Sequence, residues 1–370
     1  MSTFSELQLL STLVASLDAQ GITQPTQIQR QTIPLLLRGE SVLGVSQTGS
    51  GKTLAYALPL LHTIKELELA GDRVTEAGRP RGLVLVPGRE LGEQVAKVFK
   101  GLTHQTRVRV RVAVGGTAKR VSRRSVGGPF EILVASPGRL LHLMGRGDVA
   151  LDDVRSVVFD EADQVVDPGF LPVAHQILDA CSHRVQAMLF SATLPDSLRG
   201  VIHQLLPTPP VVVRTEGSGR LVSALQTENR RVVDGERFPL LRTILAEAPD
   251  AGTLLFANTR DQCDRIATWL GRLGVDYVLY RGEMDRIERR RNLAAFRNAE
   301  VNVLLTTDLG GRGLDIARVD RVINVHLPRD IENYVHRAGR TARAGRTGKV
   351  INMVTQRDRR LMEAVSALEA

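Results

Sequence analysis

Residues 41–60 read SVLGVSQTGSGKTLAYALPL, and three kinds of element follow one another inside this stretch. SVLGVS is a short apolar run bounded by turn residues, the pattern of a buried strand. TGSG is a glycine-punctuated turn, and KTLAYALPL carries apolar residues at helical spacing. A strand that feeds a helix through such a turn presents backbone N–H groups to an anion at the positive end of the helix. Thr48, Gly49, Ser50 and Gly51 would wrap phosphates, Lys52 would reach the β and γ phosphates, and the Thr53 hydroxyl would ligate Mg²⁺. The plainer reading is a glycine turn that only starts a helix. The lysine weighs against it: of 49 basic residues 43 are arginine and six are lysine, so a lysine here marks a wanted point charge. Ser46 stands where the pattern begins with glycine or alanine, and serine is small enough to fit.

Working outward, apolar β-branched runs recur between helix-like segments: RGLVLVP (81–87), VRVRVAVGG (108–116), EILVAS (131–136), SVVFDE (156–161) and QAMLFSAT (186–193). Near-continuous apolar strands alternating with helices predict βαβ units and a parallel sheet covered on both faces. The periodicity lapses around LPTPPVVVRTEGSGRLVS (206–223), which marks a linker near Gly217 to Arg220. A second series follows: GTLLFANT (252–259), VDYVLY (275–280), VNVLLTTD (301–308), RVINVHLP (321–328) and GKVINMVT (348–355). The expectation is two α/β domains, residues 1–216 and 225–370, joined by a linker over 217–224. Glu68 to Gly82 reads as a surface loop.

The run SVVFDEADQ (156–164) ends a buried strand in Asp160, Glu161 and Asp163. Acids are common in loops after strands and can cap the next helix. Beside a phosphate cradle they acquire a use. A strand-end aspartate holds Mg²⁺, and an adjacent carboxylate orients or deprotonates the attacking water. Asp160 fits the metal role and Glu161 the base role.

A chain of 370 residues suits two domains. Its formal charge of +9 favours an anionic partner such as a nucleic acid. No apolar run reaches membrane-span length and the first residues lack a signal pattern, so no membrane partner is expected. Cys181 and Cys263 have no metal-ligand spacing and read as buried thiols in a reducing cytoplasm. Aromatic residues make up 4%, too few for a base-stacking platform to dominate recognition.

Several motifs in order resemble one family. The string DEAD at Asp160–Asp163, GITQPTQIQ (21–29), PGRELGEQ (87–94), the pair Gly115 and Gly116, SPGR (136–139), SAT (191–193), LLFANTR (254–260), TTDLGGRGLD (306–315) and YVHRAGRTARAG (334–345) are similar to the motif series of the DEAD-box RNA helicases. The resemblance spans nearly the whole chain. It implies two tandem RecA-like domains, ATP hydrolysis with Mg²⁺, RNA held by both domains and local strand separation without long-range translocation. It implies an adenine-reading Q motif, with Gln29 pairing to the base, Gln24 beside it and Phe4 stacking on it. Asp315 would contact the ribose. Arg340 and Arg343, within the His336–Arg343 run, would act as arginine fingers, with His336 in the same catalytic motif. Such fingers are worth roughly 10³ to 10⁵ in rate, about 4 to 7 kcal/mol. Asp163, Ser191 and Thr193 would couple the nucleotide to RNA. Arg89, Gly116, Ser136, Arg139, Arg260, Arg289 and Thr307 would face RNA phosphates and 2′-OH groups, with little sequence specificity and no preference for DNA.

The chain departs from the family pattern at Gly88, Gly92, Ser136, Gly310 and Ala342, and Arg281 and Arg286 replace the usual histidine and glutamine. Gly88 removes a hydroxyl from an RNA motif. In YRGEMDRIERRRNLAAFR (280–297) the arginines are interleaved with Glu283, Asp285 and Glu288. Two readings stand there: a solvated helix laced with ion pairs, or an added phosphate contact at Arg286. For the whole chain a second function fits the same motifs, an RNA-stimulated clamp that closes without unwinding.

Overall fold

The computed structural model describes residues 3–115, 126–166, 169–182, 184–216, 224–233, 235–308, 316, 318–342 and 346–369, with the backbone alone at 165, 166, 286 and 369. The chain divides into two compact units, Met1–Gly219 and Arg220–Ala370.

The first unit is built on β1 (Val42–Val45), β2 (Gly82–Leu85), β3 (Val110–Ala113), β4 (Ile132–Ala135), β5 (Ser156–Asp160), β6 (Gln186–Ser191) and β7 (Val211–Arg214). These form one sheet in the order β3-β4-β2-β5-β6-β1-β7, every pairing parallel. Strands β1, β2, β4 and β5 are buried along their whole length, because helices cover both faces. Successive side chains enter opposite cores. Val84 and Val158 join Tyr56, Phe99 and Phe190 on one side, whereas Leu85 and Phe159 join Leu43 and Leu189 on the other. Each such side chain contributes about 1.5 to 3 kcal/mol by leaving water, so a one-residue slip of register is strongly disfavoured.

The second unit holds β8 (Leu225–Arg231), β9 (Thr253–Ala257), β10 (Tyr277–Tyr280), β11 (Val303–Thr307), β12 (Arg321–Asn324) and β13 (Gly348–Val354), ordered β10-β11-β9-β12-β13-β8 and again all parallel. Leaving aside the edge strand β7, the two sheets follow one rule. Counted along each unit, the strands lie third, fourth, second, fifth, sixth, first. β1 therefore corresponds to β8, and β6 to β13. A helix follows each first strand, Lys52–Leu69 after β1 and Arg237–Ala246 after β8.

The anticipated α/β architecture is present, with two edge strands that the apolar pattern did not mark. VVVR of β7 follows prolines where the periodicity lapses, and LQTENRR of β8 has no apolar run. An edge strand needs only one neighbour, so it can be polar on its open side. β8 is tied to the sheet by asparagines in register: Asn324 Nδ2 donates to Asn352 Oδ1 at 2.8 Å, and Asn352 Nδ2 to Asn229 Oδ1 at 2.9 Å. Most of the expected linker, 217–223, lies outside the described residues. The expected loop from Glu68 to Gly82 begins two residues later, since the helix runs to Leu69, and ends one residue sooner, since Gly82 opens β2. Arg81 closes that loop, donating to Asp153 Oδ2 at 3.0 Å and to the Asp72 carbonyl at 2.6 Å. Among the described residues no helix is long and apolar enough to cross a membrane.

Candidate nucleotide site and nucleic-acid face

The glycine turn leaves the carboxyl end of β1 and curls into the helix Lys52–Leu69. Gly49 and Gly51 have φ of +84° and +88°, a left-handed backbone that side chains resist. Lys52, the first helical residue, folds back over the turn and donates from Nζ to the carbonyls of Ser46 at 2.7 Å and Gln47 at 2.9 Å. The departure at Ser46 is accommodated: its hydroxyl lies 2.7 Å from that of Ser50, closing the turn on itself. Thr48 and Ser50 are half-buried and Gly49 is exposed.

Asp160 ends β5 beside this turn. Its carboxyl is pushed up to about 6, first by burial and then by the charge of Glu161. A hydrogen bond from Tyr56, the charge of Lys52 and the backbone N–H of Glu161 pull the other way. The Tyr56 hydroxyl donates to Asp160 Oδ2 at 2.8 Å, and the Thr53 side chain, three residues earlier on the same helix, acts on the phenol in the opposite sense to the acids, lowering it. The phenol is fully buried, which with Asp160's charge raises it well above its usual value, so it stays a donor. Tyr56 thus ties Asp160 to the helix that begins at Lys52 and carries Thr53. Glu161 adopts φ +54°, a strained conformation for a non-glycine residue, and its Oε2 accepts from Gln164 Nε2 at 2.6 Å. Asp163 is buried.

Gln29 is buried at the base of the cradle. Its Oε1 accepts from the Thr26 N–H at 2.9 Å and its Nε2 donates to the Gly51 carbonyl at 2.9 Å. The amide expected to pair with adenine is therefore engaged in a helix cap and in the phosphate turn. Phe4, expected as a stacking ring, is 2% exposed and packs in the core with Leu7, Leu13 and Tyr56. The structure offers neither as an open base seat, because both satisfy the fold's own packing and hydrogen bonds. Gln24 is exposed. Ser191 closes β6 opposite Val45, and its carbonyl accepts from the Ser46 N–H at 3.1 Å. The Thr193 N–H donates to Ser191 Oγ at 3.2 Å, so this motif is bonded directly to the start of the cradle.

The first unit's other candidates gather at the carboxyl ends of β2, β3 and β4. Arg89 opens the helix Arg89–Thr106 and gives Nε and Nη2 to Glu93 Oε1 at 2.8 and 2.7 Å. Gly88 is the N-cap of that helix without a side-chain bond, the consequence of the missing hydroxyl. Gly92 has a packing reason: a Cβ there would come within 2.5 Å of Val114 Cγ1. Ser136 caps the helix Pro137–Gly145, and Arg139 lies in its first turn with Nε buried and unpartnered. Gly116 lies outside the described residues.

In the second unit, Arg260 begins the helix Arg260–Arg272 and pairs with Glu283 at 2.9 Å. Arg289 stands over the Tyr280 ring at 5.7 Å, and Thr307 ends β11. Arg281 pairs with Asp264 at 2.6 Å, and the Arg286 side chain lies outside what is described. His336 and Arg340 are buried, with Arg340 Nε donating to the His336 carbonyl at 3.0 Å. Arg343, Asp315 and Gly310 lie outside the described residues. Ala342 takes φ +54°, which explains why glycine is usual there and leaves this chain with a strained turn.

The sequence reading passed over Arg337. This guanidinium is 1% exposed and saturated: it binds both carboxylate oxygens of Asp308 at 2.5 and 2.7 Å, Asn324 Oδ1 at 3.0 Å, the His326 carbonyl at 2.7 Å and Asn258 Oδ1 at 2.7 Å. It fastens its own motif to those at the ends of β9 and β11 and to the end of β12. Tyr56 was also passed over. Its position four residues after Lys52, one helical turn from the cradle, was the available signal.

Comparison with known proteins follows the same division. Residues 26–201 match the family model described as DEAD/DEAH box helicase, and 236–345 that of the helicase conserved C-terminal domain. The ATP-dependent rRNA helicase RRP3 of Coccidioides immitis is 34% identical over 368 residues, covering 98% of this chain and 75% of that protein. The ATP-dependent RNA helicase DeaD of Buchnera aphidicola is 35% identical over 98% of this chain, which spans 59% of that relative's length. Among solved structures, Saccharomyces cerevisiae Dbp5 bound to RNA and ADP BeF3 is similar with a TM-score of 0.87 and 26% identity, covering 100% of this chain and 93% of that one.

Proposed function

This chain belongs to the DEAD/DEAH box helicase family, and from that premise we propose that it is an ATP-dependent RNA helicase whose two RecA-like domains use ATP binding and hydrolysis to act locally on RNA. The observation that carries the reading is the placement of Lys52 and Thr53 after β1 and of Asp160 and Glu161 at the end of β5, with the Tyr56 hydroxyl bonding Asp160 to the helix that bears the first two.

Mg²⁺ fits this donor set. A hydroxyl and a carboxylate are hard oxygen ligands, and Mg²⁺ is held by one or two protein groups together with phosphates. Thr53 and Asp160 would hold it, and when bound it would neutralise charge on the phosphates. Lys52 would exchange its two loop carbonyls for phosphate oxygens. Glu161, held by Gln164, would take the proton of the attacking water. Arg340 and Arg343 would supply the transition-state charge from the second domain. Gln29, which already touches the cradle, would read adenine by releasing one of its two internal bonds. RNA held by both domains would then favour ATP binding and be favoured by it in turn, because such coupling is reciprocal. We place the protein in a reducing cytoplasm, a reading supported by the free thiols of Cys181 and Cys263.

The test is release of a short RNA duplex by the full chain. Release with ATP, absent with ADP and stimulated by RNA rather than DNA of the same sequence, is the expected result. RNA-stimulated hydrolysis with no release would make the protein a clamp instead. Hydrolysis indifferent to RNA would overturn the assignment.

A further inference from the structure

The equivalence of the two sheets carries a consequence outside the motifs. In the first sheet the phosphate cradle stands at the carboxyl ends of β1 and β6. The corresponding place in the second sheet, at the carboxyl ends of β8 and β13, is a cavity of about 870 Å³. In open parallel sheets ligands gather at such strand ends.

Its lining includes Arg231, Arg237 and Arg357, with Asn229, Thr355 and Gln356, and no aspartate or glutamate among the described residues. Arginine is this chain's habitual basic residue, so the count alone decides little. Their company decides more. Elsewhere Arg81 is paired with Asp72 and Asp153, Arg109 with Glu131, Arg260 with Glu283, Arg281 with Asp264 and Arg337 with Asp308. Among the described residues none of the three cavity arginines forms an ion pair, which is common for arginines of this chain, but these three face one cavity with no carboxylate in its described lining.

Arg237 forms the floor. Its Nη1 donates to the carbonyls of Val325 at 2.6 Å and Met353 at 3.1 Å, which fixes the guanidinium without neutralising it. Burial holds its pKa below the usual arginine value, opposed by the charge of Asp358. That carboxylate is itself occupied, accepting from the Thr355 N–H at 2.7 Å and hydroxyl at 2.6 Å. A half-buried cation with neutral partners costs free energy unless an anion arrives. Arg231 and Arg357 are exposed at the rim, where bidentate guanidiniums suit phosphate oxygens.

We propose that the cavity between the carboxyl ends of β8 and β13 binds a phosphate-class anion, in the place that the glycine cradle occupies in the first sheet. The anion is a free polyphosphate group or a phosphate of the RNA backbone, and Arg237 meets it from below while Arg231 and Arg357 close on it from the rim.

The test uses the full chain carrying Lys52→Ala, so that the first-sheet cradle does not compete, and inorganic tripolyphosphate as the probe in calorimetric titration. One site is expected, weakening as salt rises. Adding Arg231→Gln and Arg357→Gln, both exposed and unpaired, should weaken it at least tenfold. Arg272→Gln, an exposed arginine on another helix, should leave it unchanged. A second arm measures single-stranded RNA with Lys52 restored. If the anion is an RNA phosphate, the double substitution lowers the slope of log affinity against log salt by about 0.7 per lost contact. If it is a free polyphosphate, the slope stays the same while tripolyphosphate binding falls. Tripolyphosphate binding that is absent, or that ignores Arg231 and Arg357, together with an unchanged RNA slope, overturns the proposal.

Discussion

The ends of β1 and β8 occupy the same place in two sheets of the same order, yet they handle charge in opposite ways. After β1 the chain sets one lysine on a left-handed glycine turn and surrounds it with carboxylates, one of which, Asp160, is pushed up to about 6 by burial and by Glu161. After β8 it sets Arg231 and Arg237, adds Arg357 from beyond β13, and brings no carboxylate to the lining among the described residues. The first arrangement suits a triphosphate that arrives with a metal, since the carboxylates would repel bare phosphates. The second suits an anion alone. The sheet fixes where a ligand can sit, and the loop residues decide which one.

The largest expected effect tests whether the carboxylates after β5 do chemistry or only hold charge. Glu161→Gln keeps the bond to Gln164 within reach but cannot accept a proton. General-base catalysis is worth roughly 10² to 10⁴ in rate, so RNA-stimulated turnover should fall by about that factor while ATP and RNA remain bound. Steady-state hydrolysis and equilibrium binding on the same preparation check it. Turnover within a few-fold of the unmodified chain would remove Glu161 from the base role and reduce the first site to a binding site, like the second.

How much of this was legible depends on how far apart in the chain the partners lie. The cradle and the acids of 160–163 are contiguous strings: spacing marked the cradle, the cradle gave the acids a use, and continuous apolar runs marked the strands between them. Gln29 was legible as a motif but not in its contacts, since the Gly51 carbonyl that it holds is 22 residues away. Arg337 binds Asn258 from 79 residues away and Tyr56 binds Asp160 from 104, and no linear pattern reports such pairs. β8 was invisible for another reason: LQTENRR is held by backbone pairing and an asparagine rung, neither of which leaves an apolar signature.

Tyr56 sharpens the comparison next, because it is the internal donor that makes a buried carboxylate tolerable in the first site. Tyr56→Phe keeps the ring, which packs 5.5 Å from Phe190, and deletes only the hydroxyl. Leaving a buried charged acceptor without that donor costs about 1 to 3 kcal/mol. Chemical unfolding in EDTA should show that loss, and the Mg²⁺ concentration needed for half-maximal nucleotide binding should rise. If stability and Mg²⁺ midpoint both stay where they were, the hydroxyl is a bystander and Asp160 is positioned by its backbone alone.

The smallest effect reads the second site through its neighbour His326. This imidazole follows β12, and its pKa is lowered to about 4, first by burial and then by the charges of Arg237 and Arg337, with Asp358 opposing. An unfolded histidine titrates near 6.5, so between about pH 6.5 and 4 the unfolded chain binds a proton that the folded one refuses. Stability must therefore fall as pH drops through that window, and above it the group contributes no slope. The full shift would correspond to about 3 kcal/mol, and the partial exposure of the ring reduces it to about 1 kcal/mol. His326→Gln should flatten the loss between pH 7 and 4.5 in urea unfolding by that amount. A phosphate-class anion seated on Arg237 would offset one of the two charges that depress the imidazole, so in the Lys52→Ala chain saturating tripolyphosphate should shrink the loss by more than it does in the same chain with His326→Gln. An equal pH slope in both chains would show that His326 protonates as freely in the fold as outside it, and that the arginines after β8 do not set its charge.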